Sequence, residues 1–173
     1  VEASDFEILL FGYALDDDPV QVINLADFEA LPGEILHALT DPAIIKSAYN
    51  ANFERTCIAK YFSLPTDPSQ WRCTMVHTLT LGLPGSLEAA ARVVGLKAQK
   101  DTAGKNLINY FTKPCKPTKS NSGRTRNLPC HAPDKWQQFI SYNKRDVEVE
   151  RELRKRLERY PVPAHEWKLW ELN

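Results

Sequence analysis

In the stretch AYNANFERT, Glu54 stands one residue after Phe53, where a strand-like run gives way to helical spacing. A carboxylate in the first turn of a helix, at the carboxyl edge of a sheet, is held on rigid backbone where α/β ligand sites gather. The same acid also serves a helix simply by offsetting the positive end of its dipole. In YNKRD, Tyr142 and Asp146 are four apart and share a face of any helix that carries them. A phenol beside a carboxylate can hold one metal-bound water, the carboxylate coordinating and the phenol hydrogen-bonding; the pair is equally at home on an ordinary surface. Asp5-Phe6-Glu7 is a third candidate, because an Asp-x-Glu beside an apolar strand suits a two-metal hydrolytic centre. Here, however, the acids precede the apolar run ILLFGYA instead of following it, as polar residues ahead of a strand do.

The elements that must position these residues follow from periodicity. FEILLFGYAL is a near-continuous apolar run and predicts a core strand; DDDP is turn chemistry, and VQVINL predicts a second strand closing a hairpin. LPGEILHAL predicts a helix, and AIIKSAYN a short strand that runs directly into the helix NFERTCIAKYF, with Asn50 or Asn52 near its cap. WRCTMVHTLTLGL, SLEAAARVVGL (Ser86 as cap, Gly95 as terminator) and DTAGKNLINYF predict three further helices. DKWQQFISYNKRDVEVERELRKRLERY predicts one long helix carrying Tyr142 and Asp146. Strands first, then a strand feeding a helix, then mostly helices place the chain among α/β or α+β domains around a mixed sheet.

At 173 residues the chain fits one domain with a sizeable core, and 43% hydrophobic against 25% charged residues is ordinary for a globular protein. Lys+Arg 22 against Asp+Glu 22 leaves no net charge, so contact with a polyanion must come from local patches. No apolar run is long enough to span a bilayer, which excludes membrane-spanning helices. Cys57, Cys73, Cys115 and Cys130 form no CxxC pair and read as reduced thiols; Cys115, Cys130 and His131 lack the paired spacing of a zinc site. The irregular stretch 111–134 contains Lys113, Lys116, Lys119, Arg124 and Arg126 and no acid until Asp134. Such a loop is either a contact for phosphates or a solvated segment whose charge aids solubility.

Taken together, NANFE and the distant YxxxD resemble the second and third motifs of the DEDD superfamily of 3′–5′ exonucleases, in its tyrosine-containing branch. Glu54 stands where many members have Asp. The runs FEILLFGYA, CTMVHTLTLGLPGSLE, KPCKPTK, GRTRNLP, YNKRDVEVE and EWKLWELN are similar to family A DNA polymerases of bacteriophages and prophages, over essentially the whole chain. The resemblance implies an α/β, ribonuclease-H-like mixed sheet flanked by helices, with the first strand of that fold upstream of this chain. It implies an exonuclease-like domain over 1–160 and a linker over 161–173 towards a polymerase domain.

The same resemblance implies proofreading-type hydrolysis of the 3′-terminal phosphodiester of single-stranded DNA, with two divalent ions, Mg²⁺ or Mn²⁺, in the cytoplasm of a bacterial host. It assigns Asp146 and Glu54 as metal ligands and Tyr142 as the group orienting the attacking water; Asn50, Asn52 and Phe53, and in the basic loop Lys116, Lys119, Arg124 and Arg126, are the expected DNA contacts. In that group an Asp-x-Glu motif lies upstream of the segment that starts here, so the first motif is expected to be missing from this chain. The competing expectation is therefore a catalytically inactive exonuclease-like module that binds DNA or braces a polymerase.

Overall fold

The computed structural model describes residues 5–96 and 102–172, and the side chains of all of these but 102 and 103. The elements, in chain order, are β1 (Phe11–Tyr13), β2 (Gln21–Ile23), α1 (Gly33–Thr40), β3 (Lys46–Ala48), α2 (Ala51–Phe62), β4 (Trp71–Cys73), α3 (Thr74–Thr80), α4 (Leu87–Val93), α5 (Thr102–Thr112), α6 (Pro133–Leu157) and α7 (Ala164–Glu171). The result is a mixed α/β chain dominated by helices. Among the described residues the strands form two separate pairs, β1 antiparallel to β2 and β3 parallel to β4, where the sequence predicted one mixed sheet.

The chain divides into two compact units. The first comprises 1–8, 31–98 and 148–173; the second comprises 9–30 and 99–147. Helix α6 contributes its first part to the second unit and its last turns to the first.

In the first unit β3 lies beside β4 in the register Lys46↔Trp71, Ser47↔Arg72, Ala48↔Cys73. The sequence predicted helix across WRCTMVHTLTLGL, yet its first three residues are strand. Trp71 and Cys73 are buried on one face while Arg72 between them is half-exposed, the alternation a strand requires. Ladder bonds to β3 override the helical pattern, which resumes at Thr74. Lys46 is nearly buried at the start of β3. Its three ammonium donors meet the carbonyls of Asp41 and Ile44, each at 2.9 Å, and Gln70 Oε1 at 2.8 Å. Burial pushes its pKa down, and those acceptors make the site tolerable.

The core of this unit gathers Ala90 and Ala91 of α4, Leu96, and Leu153 and Leu157 of α6, with Tyr49 and Val149 packed against them. Alanines at the contact let α4 approach α6 closely. Ser86 caps α4 through its side chain, and Gly95 takes φ +78° just beyond it, so both ends of that helix follow the sequence reading. Helix α7, in the segment expected to be a linker, packs on this unit through buried Trp170.

The second unit contains the predicted hairpin, in the register Phe11↔Ile23 to Tyr13↔Gln21. Only three residues of FEILLFGYAL pair in a ladder, although Leu9 also accepts the Ala26 amide at 3.0 Å. Asp5 and Glu7 are exposed and lie well ahead of β1. The core consists of Leu107 and Phe111 of α5 with Trp136 and Phe139 of α6, joined by Leu9, Leu10 and Ile140. Phe111 stacks on Phe139 at 5.5 Å and meets Trp136 edge-on at 4.8 Å, aromatic geometries that add to simple burial.

Candidate functional site

Asn50 is the N-cap of α2 and Glu54 lies in the first turn, directly after β3. Asn50 makes no side-chain cap bond; its carbonyl accepts the Phe53 amide at 2.8 Å. Asn52 Oδ1 is taken by Arg55 Nη1 at 2.8 Å, while Asn50 and Phe53 are exposed, so this turn offers solvent a ring and one amide. Glu54 points the other way. Its Oε2 is buried without a hydrogen-bond partner, and its pKa is pushed up to about 7. Burial is the main cause and the charge of Glu150 adds to it, while the backbone amide of Glu54 offsets part of the rise.

Glu150 is the partner that sequence reasoning missed. It is buried on α6, and its Oε1 accepts the Thr74 hydroxyl at 2.5 Å, tying α6 to the junction of β4 and α3. Burial pushes its carboxyl up, against the opposing pull of Thr74, Arg154 and Arg151. Close by, the Cys73 thiol donates to the Tyr49 carbonyl at 3.2 Å. The first unit thus places a half-buried carboxyl with one buried oxygen, Glu54, and a buried one, Glu150, near the end of its parallel pair. Only one of the two has a hydroxyl to hold it. The available signal for Glu150 was its spacing of four from Asp146 on one helix face.

Tyr142 and Asp146 lie one turn apart on α6 in the second unit, both half-buried. The Tyr142 ring lies against Gly104 of α5, where a Cβ would overlap Cε2 and Cδ2. One turn along, Asn143 Oδ1 and Val147 lie against Gly12 of β1, where a Cβ would come within 2.5 Å and 3.0 Å of them. Two glycines therefore set how closely α5 and β1 approach the face of α6 that carries the YxxxD pair.

The structure thus brings Tyr142 and Asp146 onto one helix face and leaves Glu54 within electrostatic reach of Glu150, with Glu54 in the first unit and the YxxxD pair in the second. Lys116, Lys119, Arg124 and Arg126 lie in the second unit, in the loop between α5 and α6. Among the described residues, no three His, Cys, Asp or Glu side chains converge as a metal site does. A two-ion centre needs several clustered carboxylates, so the donors described here do not by themselves fit one. The four cysteines are unpaired, and His131 Nδ1 accepts the Leu128 amide at 2.8 Å. Among the described residues no helix is long and apolar enough to cross a membrane.

Over 172 residues the chain is 59% identical to a DNA polymerase of Bacillus phage SP02. The match takes in 99% of this chain and 26% of that polymerase. Identity at that level along the whole chain makes it homologous to a segment of a phage DNA polymerase. The chain spans about a quarter of that relative's length. No family model and no solved structure matches it.

Proposed function

We propose that this chain is the exonuclease-like part of a phage-type DNA polymerase, with a ribonuclease-H-like ancestry and a role in trimming single-stranded 3′ ends inside a bacterial host cell. The observation that carries the reading is Glu54: a carboxyl on the first turn of α2, directly after β3, with a buried oxygen that no protein group satisfies. A structural acid at a helix N-terminus is solvated or capped, whereas an unsatisfied buried carboxyl with a pKa near neutrality is the kind of group functional sites retain. The YxxxD pair, Tyr142 and Asp146, supports the same reading, and so does the phage polymerase relative.

In this reading Mg²⁺ or Mn²⁺ would supply the Lewis acidity for phosphodiester cleavage. Glu54 on the first unit and Asp146 on the second are the carboxylates assigned to that chemistry, Tyr142 is a phenol one turn from Asp146, and Asn50, Asn52 and Phe53 are the proposed contacts to DNA on the first unit. A second reading is a catalytically inactive module that binds DNA or braces a polymerase; it draws on the observation that, among the described residues, no three His, Cys, Asp or Glu side chains form a group that could hold a metal ion.

Incubation of a 3′-labelled single strand with Mn²⁺ separates the two, using this chain and the complete polymerase that contains it. Shortening that Asp146→Ala and Glu54→Gln each abolish supports the exonuclease. Binding without shortening in both forms supports the inactive module. Shortening that survives Asp146→Ala overturns the site.

A further inference from the structure

The proposed site leaves the loop 113–132 unexplained, and the loop is more ordered than its composition suggests. At its neck the Cys115 amide donates to the Thr125 carbonyl at 2.7 Å. Inside, Asn121 Oδ1 accepts the Thr118 amide at 2.8 Å, and Asn121 Nδ2 donates to the Lys116 carbonyl at 2.8 Å. Ser122 and Gly123 both take left-handed backbone, with φ 56° and 73°, which returns the Gly123 amide to the Thr118 carbonyl at 2.9 Å. At the base, buried Asn127 donates to the Tyr110 carbonyl at 2.9 Å and accepts from Arg124 Nε at 3.0 Å.

Outside this scaffold Lys113, Lys116 and Lys119 are exposed, while Arg124 and Arg126 are half-buried. The segment holds five of the chain's 22 Lys and Arg and none of its 22 Asp and Glu, so it is locally basic in a chain of zero net charge. Loops whose charge only keeps them solvated have no need of a side-chain hydrogen-bond network, whereas a prefolded loop gives up little conformational freedom on binding. No Phe, Tyr or Trp interrupts 113–132, so the chemistry on offer is attraction to phosphate, without stacking on bases.

We infer that the loop 113–132 is a prefolded, sequence-independent contact for the phosphate backbone of a single DNA strand. The inference rests on the reading of the parent as a DNA polymerase.

The test is anisotropy of a fluorescein-labelled oligothymidylate with this chain in EDTA, where no metal-dependent cleavage occurs, across a NaCl series. Lys113→Gln/Lys116→Gln/Lys119→Gln alters only exposed side chains and is expected to weaken binding at least tenfold. It should also flatten the slope of log K against log salt by about 2, at roughly 0.7 per lost single-strand phosphate contact. Asn121→Ala keeps every charge but opens the scaffold, and is expected to weaken binding several-fold. Lys155→Gln/Arg159→Gln, on the first unit, should leave binding unchanged. Thermal melts of all three variants check that they fold. Wild-type affinity and slope in the triple variant would overturn the inference, as would an equal loss in the Lys155/Arg159 variant. If binding behaves as stated while the polymerase never shortens a 3′ end, the exonuclease reading falls and the loop assignment stands.

Discussion

The ring of Tyr142 on α6 fills the space over Gly104 on α5, so that no side chain can occupy position 104 without moving it. Helix propensity alone would make Gly104→Ala favourable by about 1 kcal/mol. The overlap with Cε2 and Cδ2 decides the sign against it, since overpacking of this kind costs about 1–3 kcal/mol. Gly104→Ala should therefore lower the urea midpoint, and the same change made in a Tyr142→Ala background should be neutral or stabilising. A destabilisation that persists in the double variant would mean that the ring is not what Gly104 accommodates.

Most helices were legible because their apolar residues recur with a single period: α2, α4 and α6 lie where spacing and caps put them. β4 was not, because Trp71–Cys73 is too short to show alternation and adjoins a helical pattern, and its ladder with β3 is formed across a stretch that contains all of α2. At the candidate site, Glu54 and Asp146 were readable as positions on helices. Glu150 was not. Within VEVERELRK it looks like one more solvated acid, and the hydroxyl it accepts from belongs to Thr74, 76 residues earlier in the chain.

Glu54 should make stability fall as pH rises. Its folded pKa of about 7 stands above the ordinary 4.5, so the native state holds a proton that the unfolded chain releases. Below pH 4.5 both states are protonated and the group is silent. Between 4.5 and about 7 the penalty grows, and above 7 it is constant, with an upper size of about 3 kcal/mol for a shift of this extent. Glu150, raised in the same direction by burial, adds to the trend. Glu54→Gln is thus expected to be more stable than wild type at pH 8 and little different at pH 4. Urea titrations at the two pH values measure the difference, and an equal effect at both would refute the assignment.

The Thr74–Glu150 bond gives a separate expectation. Thr74→Val keeps the shape of the side chain but leaves a buried carboxyl with one acceptor unmet, a loss of about 1–3 kcal/mol. Thr74→Ser retains the hydroxyl and should recover most of it. If valine and serine behave alike, the bond contributes nothing and Glu150 is held by packing alone.

Two arginine–tryptophan contacts hold α7 on the first unit: Arg55 of α2 lies 5.9 Å from the Trp170 ring centre, and Arg72 of β4 lies 5.2 Å from that of Trp167. Their weights differ. Trp170 is buried, so Trp170→Ala removes a large apolar surface and should cost about 3–5 kcal/mol. Arg72→Ala removes a cation–π contact worth about 0.5–1 kcal/mol together with local bonds from Arg72 Nη1 to the Ser69 and Trp71 carbonyls at 3.0 and 2.7 Å. Arg55 also donates to Asn52 Oδ1 at 2.8 Å and to the Thr66 carbonyl at 3.2 Å, so it joins α7 to the turn that carries Glu54. Arg55→Ala should therefore expose the amides around Glu54 to hydrogen exchange, which Arg72→Ala should leave protected. Exchange that rises only in α7 would show that α7 is clamped to this unit without bracing the candidate site.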